Sequence, residues 1–329
     1  MNSSVSMAAK LLGAMLIGCM ANLASAKDMV LAEVHPDGHV IVTAEALFAK
    51  RFAELTQGEV KVDLKTGGKL GNETQSWAKV RDGSIDIVRI NCAELAKDVK
   101  SIQFLSLPYL FRSRDHMWRV LDGDFGKRAD AEVEKNGAIV LAYYDSGTRS
   151  FYTSKKPIRS RADFKGMTIR IQNSPVYKDL ITELGATPVV IPYNDVTEAF
   201  KTGKIDGAEN NFVSYMESGH YKYAKYYSMD EHSSVPEVLL MSKKSWDKLT
   251  PAQRKAAQDA AHESAELMKK LWADAEVAAA AKVKKEGAVI IEKGQMNFTG
   301  IEEFAVRLYS KYIQDAADLN LVLGIMRTK

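Results

Sequence analysis

From residue 250 to residue 286 the chain runs without a glycine, and with no proline after Pro251, through a stretch rich in Ala, Glu, Lys and Gln. Thr250-Pro251-Ala252-Gln253 opens it with a capping hydroxyl, proline at the first helical position and Gln three residues after the cap. At about 1.5 Å per residue a helix of this length reaches on the order of 50 Å, longer than one compact lobe is wide. Such an element needs a body to pack against along its whole length. The pattern therefore predicts one helix bridging two lobes, with two helices meeting at an unmarked bend as the alternative.

The remaining sequence agrees with two lobes. In 329 residues that are 46% hydrophobic there is more apolar material than one small core takes up. Val60, Val62 and Leu64 alternate with polar residues as on a half-buried strand, after a helical segment over 43–55 that ends at Gly58. Strand patterns also fall at 29–34, 85–90, 138–143, 167–171, 189–191 and 238–241, with helical patterns between most of them. Asp195 with Glu198 resembles a capping box, and Gly203 stands where that short helix would close. Alternating strands and helices predict an α/β fold with mostly parallel sheets.

Residues 1–26 carry Lys10 as their only charged side chain, an apolar run over 11–20 and a terminal Ala24-Ser25-Ala26. This is the three-part pattern of a secretory signal, with the mature chain starting at Lys27. Leu16-Ile17-Gly18-Cys19 supports a competing reading, a lipobox that leaves a lipid-anchored Cys19. After cleavage at Ala26 only Cys92 remains, and a lone cysteine closes no intrachain disulfide, so stability rests on burial. No later run of 18 uncharged apolar residues predicts a membrane span. The 45 basic and 42 acidic side chains are scattered evenly, which argues against nucleic-acid or polybasic membrane binding.

Catalytic signatures fail on inspection. There is no G-x-S-x-G elbow, and Gly67-Gly68-Lys69-Leu70-Gly71 is neither a P-loop nor a dinucleotide fingerprint. His262-Glu263 is followed by Glu266 where a zinc site would place a second histidine. No catalytic residue, metal or cofactor is predicted. What does stand out is Arg170. Period-two geometry sends Met167, Ile169 and Ile171 into a core and turns Arg170 and Gln172 to the other face. A guanidinium cannot shed its charge and is costly to bury alone, so Arg170 must meet an anion. Either a ligand supplies it or an internal acid does, with Asp163, Asp195 and Glu209 as candidates.

Gly68-Lys69-Leu70-Gly71-Asn72-Glu73 with Gln75, Gly83-Ser84-Ile85-Asp86, Leu107-Pro108-Tyr109-Leu110-Phe111, Asp163-Phe164-Lys165-Gly166-Met167-Thr168-Ile169-Arg170 and Gly203-Lys204-Ile205-Asp206-Gly207-Ala208-Glu209-Asn210 follow in order across essentially the whole mature chain. In order and spacing they resemble the landmarks of the DctP family, the solute-binding proteins of TRAP transporters. The resemblance implies a two-lobed periplasmic receptor, not an enzyme, that closes around a small organic acid and delivers it to an ion-driven membrane permease. It implies a monomer without cofactor, with a first lobe of 27–147 plus 234–275, a second of 148–233 plus 276–329, and the ligand between them.

It further implies that Arg170 grips the ligand carboxylate with both prongs of its guanidinium, that Asn210 assists, and that Arg149 is a second cation. For Arg149 a structural pair between the lobes would look the same. Tyr143-Tyr144-Asp145-Ser146-Gly147, Gly207-Ala208-Glu209-Asn210-Asn211 and Glu231-His232-Ser233 with Pro236-Glu237-Val238 resemble the branch that binds hexuronates such as glucuronate and galacturonate. In that branch Glu73, Arg89 and Asn91 lie at the mouth of the first lobe. Glu73, Asn91, Gln172, Asn210 and Asn211 are the residue types that hydrogen-bond sugar hydroxyls. Arg89 and Asn91 end an apolar strand, where α/β sheets place ligand sites, or else cap it toward solvent. His35 and His39 follow the first strand and either reach the cleft or are satisfied surface groups. Cys92 and Ala93 depart from common members, which bears on the shape of the pocket. A C4-dicarboxylate or another organic acid is the alternative ligand; a secreted sugar-acid enzyme and a sensory module are the alternatives from other classes.

Overall fold

The computed structural model describes residues 27–297 and 299–329, so the signal segment and the lipobox reading at Cys19 lie outside the described residues. Eleven strands are described: β1 (Lys27–Ala32), β2 (Val60–Lys65), β3 (Ile87–Asn91), β4 (Ala138–Tyr144), β5 (Arg149–Thr153), β6 (Thr168–Ile171), β7 (Thr187–Val190), β8 (Gly207–Asn210), β9 (Tyr226–Ser233), β10 (Glu237–Ser242) and β11 (Val289–Ile291). They form two sheets, in the orders β2-β1-β3-β10-β4 and β11-β9-β5-β8-β6-β7. The first strand starts and ends two residues earlier than its pattern suggests.

The expectation of mostly parallel sheets needs correction. β1 runs parallel to β2 and β3, and β6 to β7 and β8, but β10 is antiparallel to β3 and β4, and β5 to β8 and β9. The reason is the route of the chain. It crosses from the first sheet to the second through 145–148 and returns through 234–236, both too short to hold the helix that a parallel connection requires. A strand leaving a sheet at the shared boundary and one entering there must point in opposite directions. Ser146 Oγ donates to Val235 O at 2.8 Å and ties the two crossings together.

The long helix is continuous over Pro251–Lys285, with the Thr250 capping box formed in both directions. It packs against helix Val40–Leu55 and β4 on the first side and against helix Phe212–Glu217 on the second. Its buried face is built from Ala256, Ala257, Ala260, Ala261 and Ala265, whose small side chains allow close approach, and from Met268 and Trp272. Gly147, in the first crossing, has φ of 61°, and a Cβ there would lie 2.6 Å from Trp272 Nε1 and from Glu276 Oε1. Only glycine lets the crossing pass under the helix.

Two further expectations are corrected. Asp195 makes no side-chain cap, because residues 193–195 already turn as a 3₁₀ segment that runs directly into helix Val196–Lys201. Gly203 does take the left-handed conformation after that helix, at φ of 68°. The C-terminal part, assigned as a whole to the second lobe, is divided. Helix Thr299–Tyr312 packs on Pro175–Glu183 beside the second sheet, whereas helix Ala316–Arg327 returns to Asp124–Lys135 beside the first. There His116 Nε2 lies 2.9 Å from Ile325 O.

Candidate ligand site between the two sheets

Strands β1, β3, β6 and β8 all end toward the boundary between the sheets, and the residues at and just after their ends face a common space of about 290 Å³, counted together with its opening to solvent. Val34, His35, Glu73, Arg89, Asn91 and Glu237 form one wall. Arg149, Arg170, Gln172, Tyr193, Asn210 and Ser214 form the other. A second space of about 360 Å³ shares Val34, Glu73 and Tyr193 with it and lies toward Thr74, Glu94, Asn173 and Asn194. Across this outer region Asn173 N donates to Glu94 Oε1 at 2.9 Å and Lys97 Nζ donates to Asn173 Oδ1 at 2.6 Å, joining the two walls at the rim.

The first wall is organised by Arg89, on β3 and only 1% exposed. Its Nε donates to Glu33 Oε2 at 2.7 Å, and its Nη1 donates to Glu73 Oε1 at 2.8 Å and to Glu237 Oε2 at 2.7 Å. Nη2 bonds Glu33 Oε1 and lies 2.8 Å from His35 Nδ1. Asn91 N donates to Glu73 Oε1 at 2.9 Å and its Nδ2 to Glu237 Oε1 at 2.8 Å, while its Oδ1 caps the next helix at Ala93 N. Arg89 and Asn91 are thus buried scaffolding and not a strand end facing solvent. Burial opposes the Glu33 charge, yet Arg89 and His35 hold that carboxyl well below its usual range. Burial together with the neighbouring Glu237 charge pushes Glu73 up to about 7 against the pull of Arg89. His35 and His39 are buried and stacked at 3.9 Å between ring centroids. His39 caps helix Val40–Leu55 through Nδ1, which accepts from Ile41 N, so only His35 lines the space.

On the second wall the two arginines differ. Arg149 Nε bonds Glu209 Oε2, Nη2 donates to Glu209 Oε1 at 3.0 Å and to its carbonyl at 2.9 Å, and Nη1 donates to Asn210 Oδ1 at 2.9 Å. The structural pair considered for Arg149 therefore exists, although it joins β5 to β8 inside one sheet and does not link the lobes. Burial opposes the Glu209 charge, but Arg149 and His232 bring it down to about 2. Arg170 is 2% exposed, and its Nε donates to Ile191 O at 2.8 Å. Among the described residues no carboxylate forms an ion pair with it. Of the internal acids that could have done so, Asp163 accepts from Ser160 and Glu209 is taken by Arg149. Gln172, on the same strand face, is 6% exposed and its Oε1 has no hydrogen-bond partner among the described residues.

Asn211 does not join the site. Its Oδ1 accepts from Ser214 N at 2.7 Å and caps helix Phe212–Glu217, because the strand ends at Asn210 and the chain turns into a helix one residue later. Val34, Glu237, Tyr193 and Ser214 also line the space, and Glu33 stands behind it on Arg89, although the sequence assigned none of the five to the site. Glu237 sits within the string Pro236-Glu237-Val238 and Glu33 is two residues before His35, so both had a usable signal; Tyr193 and Ser214 had none.

Behind Arg149, His232 Nδ1 lies 2.8 Å from Asp230 Oδ2 and its Nε2 is 3.7 Å from Glu209 Oε2. Burial disfavours the imidazolium, but these acids outweigh it and push His232 up to about 9. A group raised on folding stabilises fully below its unfolded value, about 6.5, and that contribution is lost as pH rises through about 9. Thermal melting followed from about pH 7 to about pH 9 is expected to show this loss in the native protein and not in His232→Gln.

Two α/β bodies joined by two short crossing segments and a shared helix, closed over a polar space that holds a buried guanidinium with no carboxylate partner among the described residues, have the build of a solute-binding protein. The family model described as bacterial extracellular solute-binding protein, family 7 (DctP), matches residues 31–315. The chain belongs to this family, the solute receptors of TRAP transporters, which is a class of transport proteins and not of enzymes. A solute-binding protein of Chromohalobacter salexigens is 34% identical over 313 residues, covering 95% of this chain and 92% of its own. The TRAP periplasmic solute-binding protein of Roseobacter denitrificans, solved with bound β-D-glucuronate, superposes with a TM-score of 0.89 at 34% identity, over 92% of this chain and all of that one. The corresponding protein of Bradyrhizobium sp. BTAi1, in complex with α/β-D-galacturonate, gives 0.88 at 38% identity, again over 92% and 100%.

Proposed function

We propose that this receptor binds a hexuronate, of the glucuronate or galacturonate type, in the space between its sheets and hands it to a membrane permease. The carrying observation is Arg170, a buried cation without a carboxylate partner among the described residues, facing a wall of acceptors. The ligand carboxylate takes the place of the missing counter-ion, and its hydroxyls meet Glu73, Glu237, Asn91 and Gln172. Arg149, already neutralised by Glu209, contributes position through Asn210 more than charge. Binding bridges both walls, so closure gains contact energy that the open form lacks. We place the mature protein in the periplasm as a monomer, released from its signal segment after Ala26. The uronates held by its solved relatives support the ligand class.

The test is a thermal-shift screen over hexuronates, C4-dicarboxylates and aromatic acids, followed by NMR of the recovered ligand. At 100 times its dissociation constant a ligand adds about 2.7 kcal/mol to stability, a clear rise in Tm. Hexuronates are expected to shift the melt and to be recovered unchanged. Shifts confined to dicarboxylates would refute the sugar-acid assignment, and conversion of the ligand would point to an enzyme.

A further inference from the structure

We propose that the Arg89-centred wall is a charge filter: Glu73 and Glu237 admit the neutral, hydroxyl-bearing end of a sugar acid and reject a second carboxylate. The receptor would then take the monocarboxylate and exclude the sugar dicarboxylate oxidised at both ends. This rests on the hexuronate reading and narrows it.

The geometry points to this through the count of donors. A guanidinium has five N–H groups and no acceptor. Four of those on Arg89 face carboxylate oxygens of Glu33, Glu73 and Glu237, and the remaining one faces the His35 ring. Four of the five N–H groups are held by carboxylates and the fifth side is covered by His35, whose Nδ1 also lies 2.7 Å from Glu33 Oε1, so this wall contains a cation that it does not present to a ligand. What it does present are carboxylate oxygens with lone pairs to spare, which suit hydroxyl donors. Three carboxyl groups surround one guanidinium there, while the second wall carries Arg170 with no carboxylate partner among the described residues. A monoanion fits this polarity in one orientation. A dianion must set its second charge against Glu73 and Glu237 in a buried space, and like charges in contact cost several kcal/mol.

Glu73 is the adjustable member of the filter. It is faced by Arg89 and the Asn91 amide from β3, by Glu237 from β10 and by Glu94 from helix Cys92–Leu95, with His35 beside Arg89 and with Arg149 and Arg170 across the space. Once protonated, its carboxyl can donate to a second ligand carboxylate, so dicarboxylate affinity should rise as pH falls through about 7.

Calorimetry of the full-length mature protein with glucuronate and glucarate tests this, in the native form and in Glu73→Gln. The native protein should prefer glucuronate by about 100-fold or more near pH 8, and E73Q should narrow that preference by about tenfold even where it weakens both ligands. The native preference should also narrow between about pH 8 and about pH 5.5, with E73Q insensitive. Should E73Q fail to give a cooperative melt, Glu237→Gln and the native pH series carry the same comparison. Glucarate binding within tenfold of glucuronate in the native protein overturns the filter and leaves the receptor reading intact, as does a preference that neither variant nor pH alters. Failure of the native protein to bind either compound overturns the filter together with the hexuronate reading.

Discussion

Arg170→Ala is expected to weaken glucuronate binding by about 2 to 5 kcal/mol, from tens-fold to several thousand-fold, while leaving the ligand-free melt almost unchanged. The asymmetry follows from its partners. In the ligand-free protein Arg170 gives one hydrogen bond to the Ile191 carbonyl and pairs with no acid among the described residues, so its removal strands no buried carboxylate. In the complex it is the counter-ion of the ligand, and deleting it leaves a desolvated carboxylate without one. Arg170→Lys keeps the charge and loses the fork, and should fall between the two. Titration calorimetry decides: wild-type affinity in the alanine variant would remove the carboxylate clamp from the proposal.

Arg89→Met should do the opposite, with its main cost in stability. Three carboxyl groups, Glu33, Glu73 and Glu237, close on this one buried guanidinium. Breaking a buried ion network from one side costs about 3 to 5 kcal/mol, because the charges left behind have no partner. A buried carboxyl without a counter-ion takes up a proton more readily in the folded chain than in the unfolded one. The variant should therefore regain stability as pH falls from about 7 to about 5, and urea denaturation at the two pH values measures the recovery. A variant as stable as the native protein at neutral pH would show that the network is not what holds this wall together.

The two arginines illustrate what a sequence can and cannot reveal. Both stand on apolar strands, and nothing local distinguishes them. Arg89 and Glu237 are 148 positions apart, and only the return of the chain through the second crossing brings them to 2.7 Å. Elements whose signals are local were legible: the long helix through its capping box, and β2 and β6 through alternation. β5 and β8 were not, because they are buried on both faces while carrying Arg149, Ser150, Glu209 and Asn210, so the period-two rule had no exposed side to register. β11 is three residues long, too short for any periodicity. Asn210 and Asn211 look alike in sequence, yet a strand end separates them and gives one to the cavity and the other to a helix cap.

The chain passes between its halves at 145–148, at 234–236, along the long helix and again at 313–315, where helix Ala316–Arg327 returns to the first side, and the first two passages are bonded through Ser146 and Val235. The proposed closure would turn the two bodies about the line that the first two, bonded straps define, as covers turn about a spine. Arg149 and Glu237 each directly follow a strap and keep their places however wide the receptor gapes, whereas Asn173 and Glu94, out at the fore-edge, travel furthest. An arriving solute would thus meet a fixed gutter first, and the page carrying Arg170 turns over it afterwards.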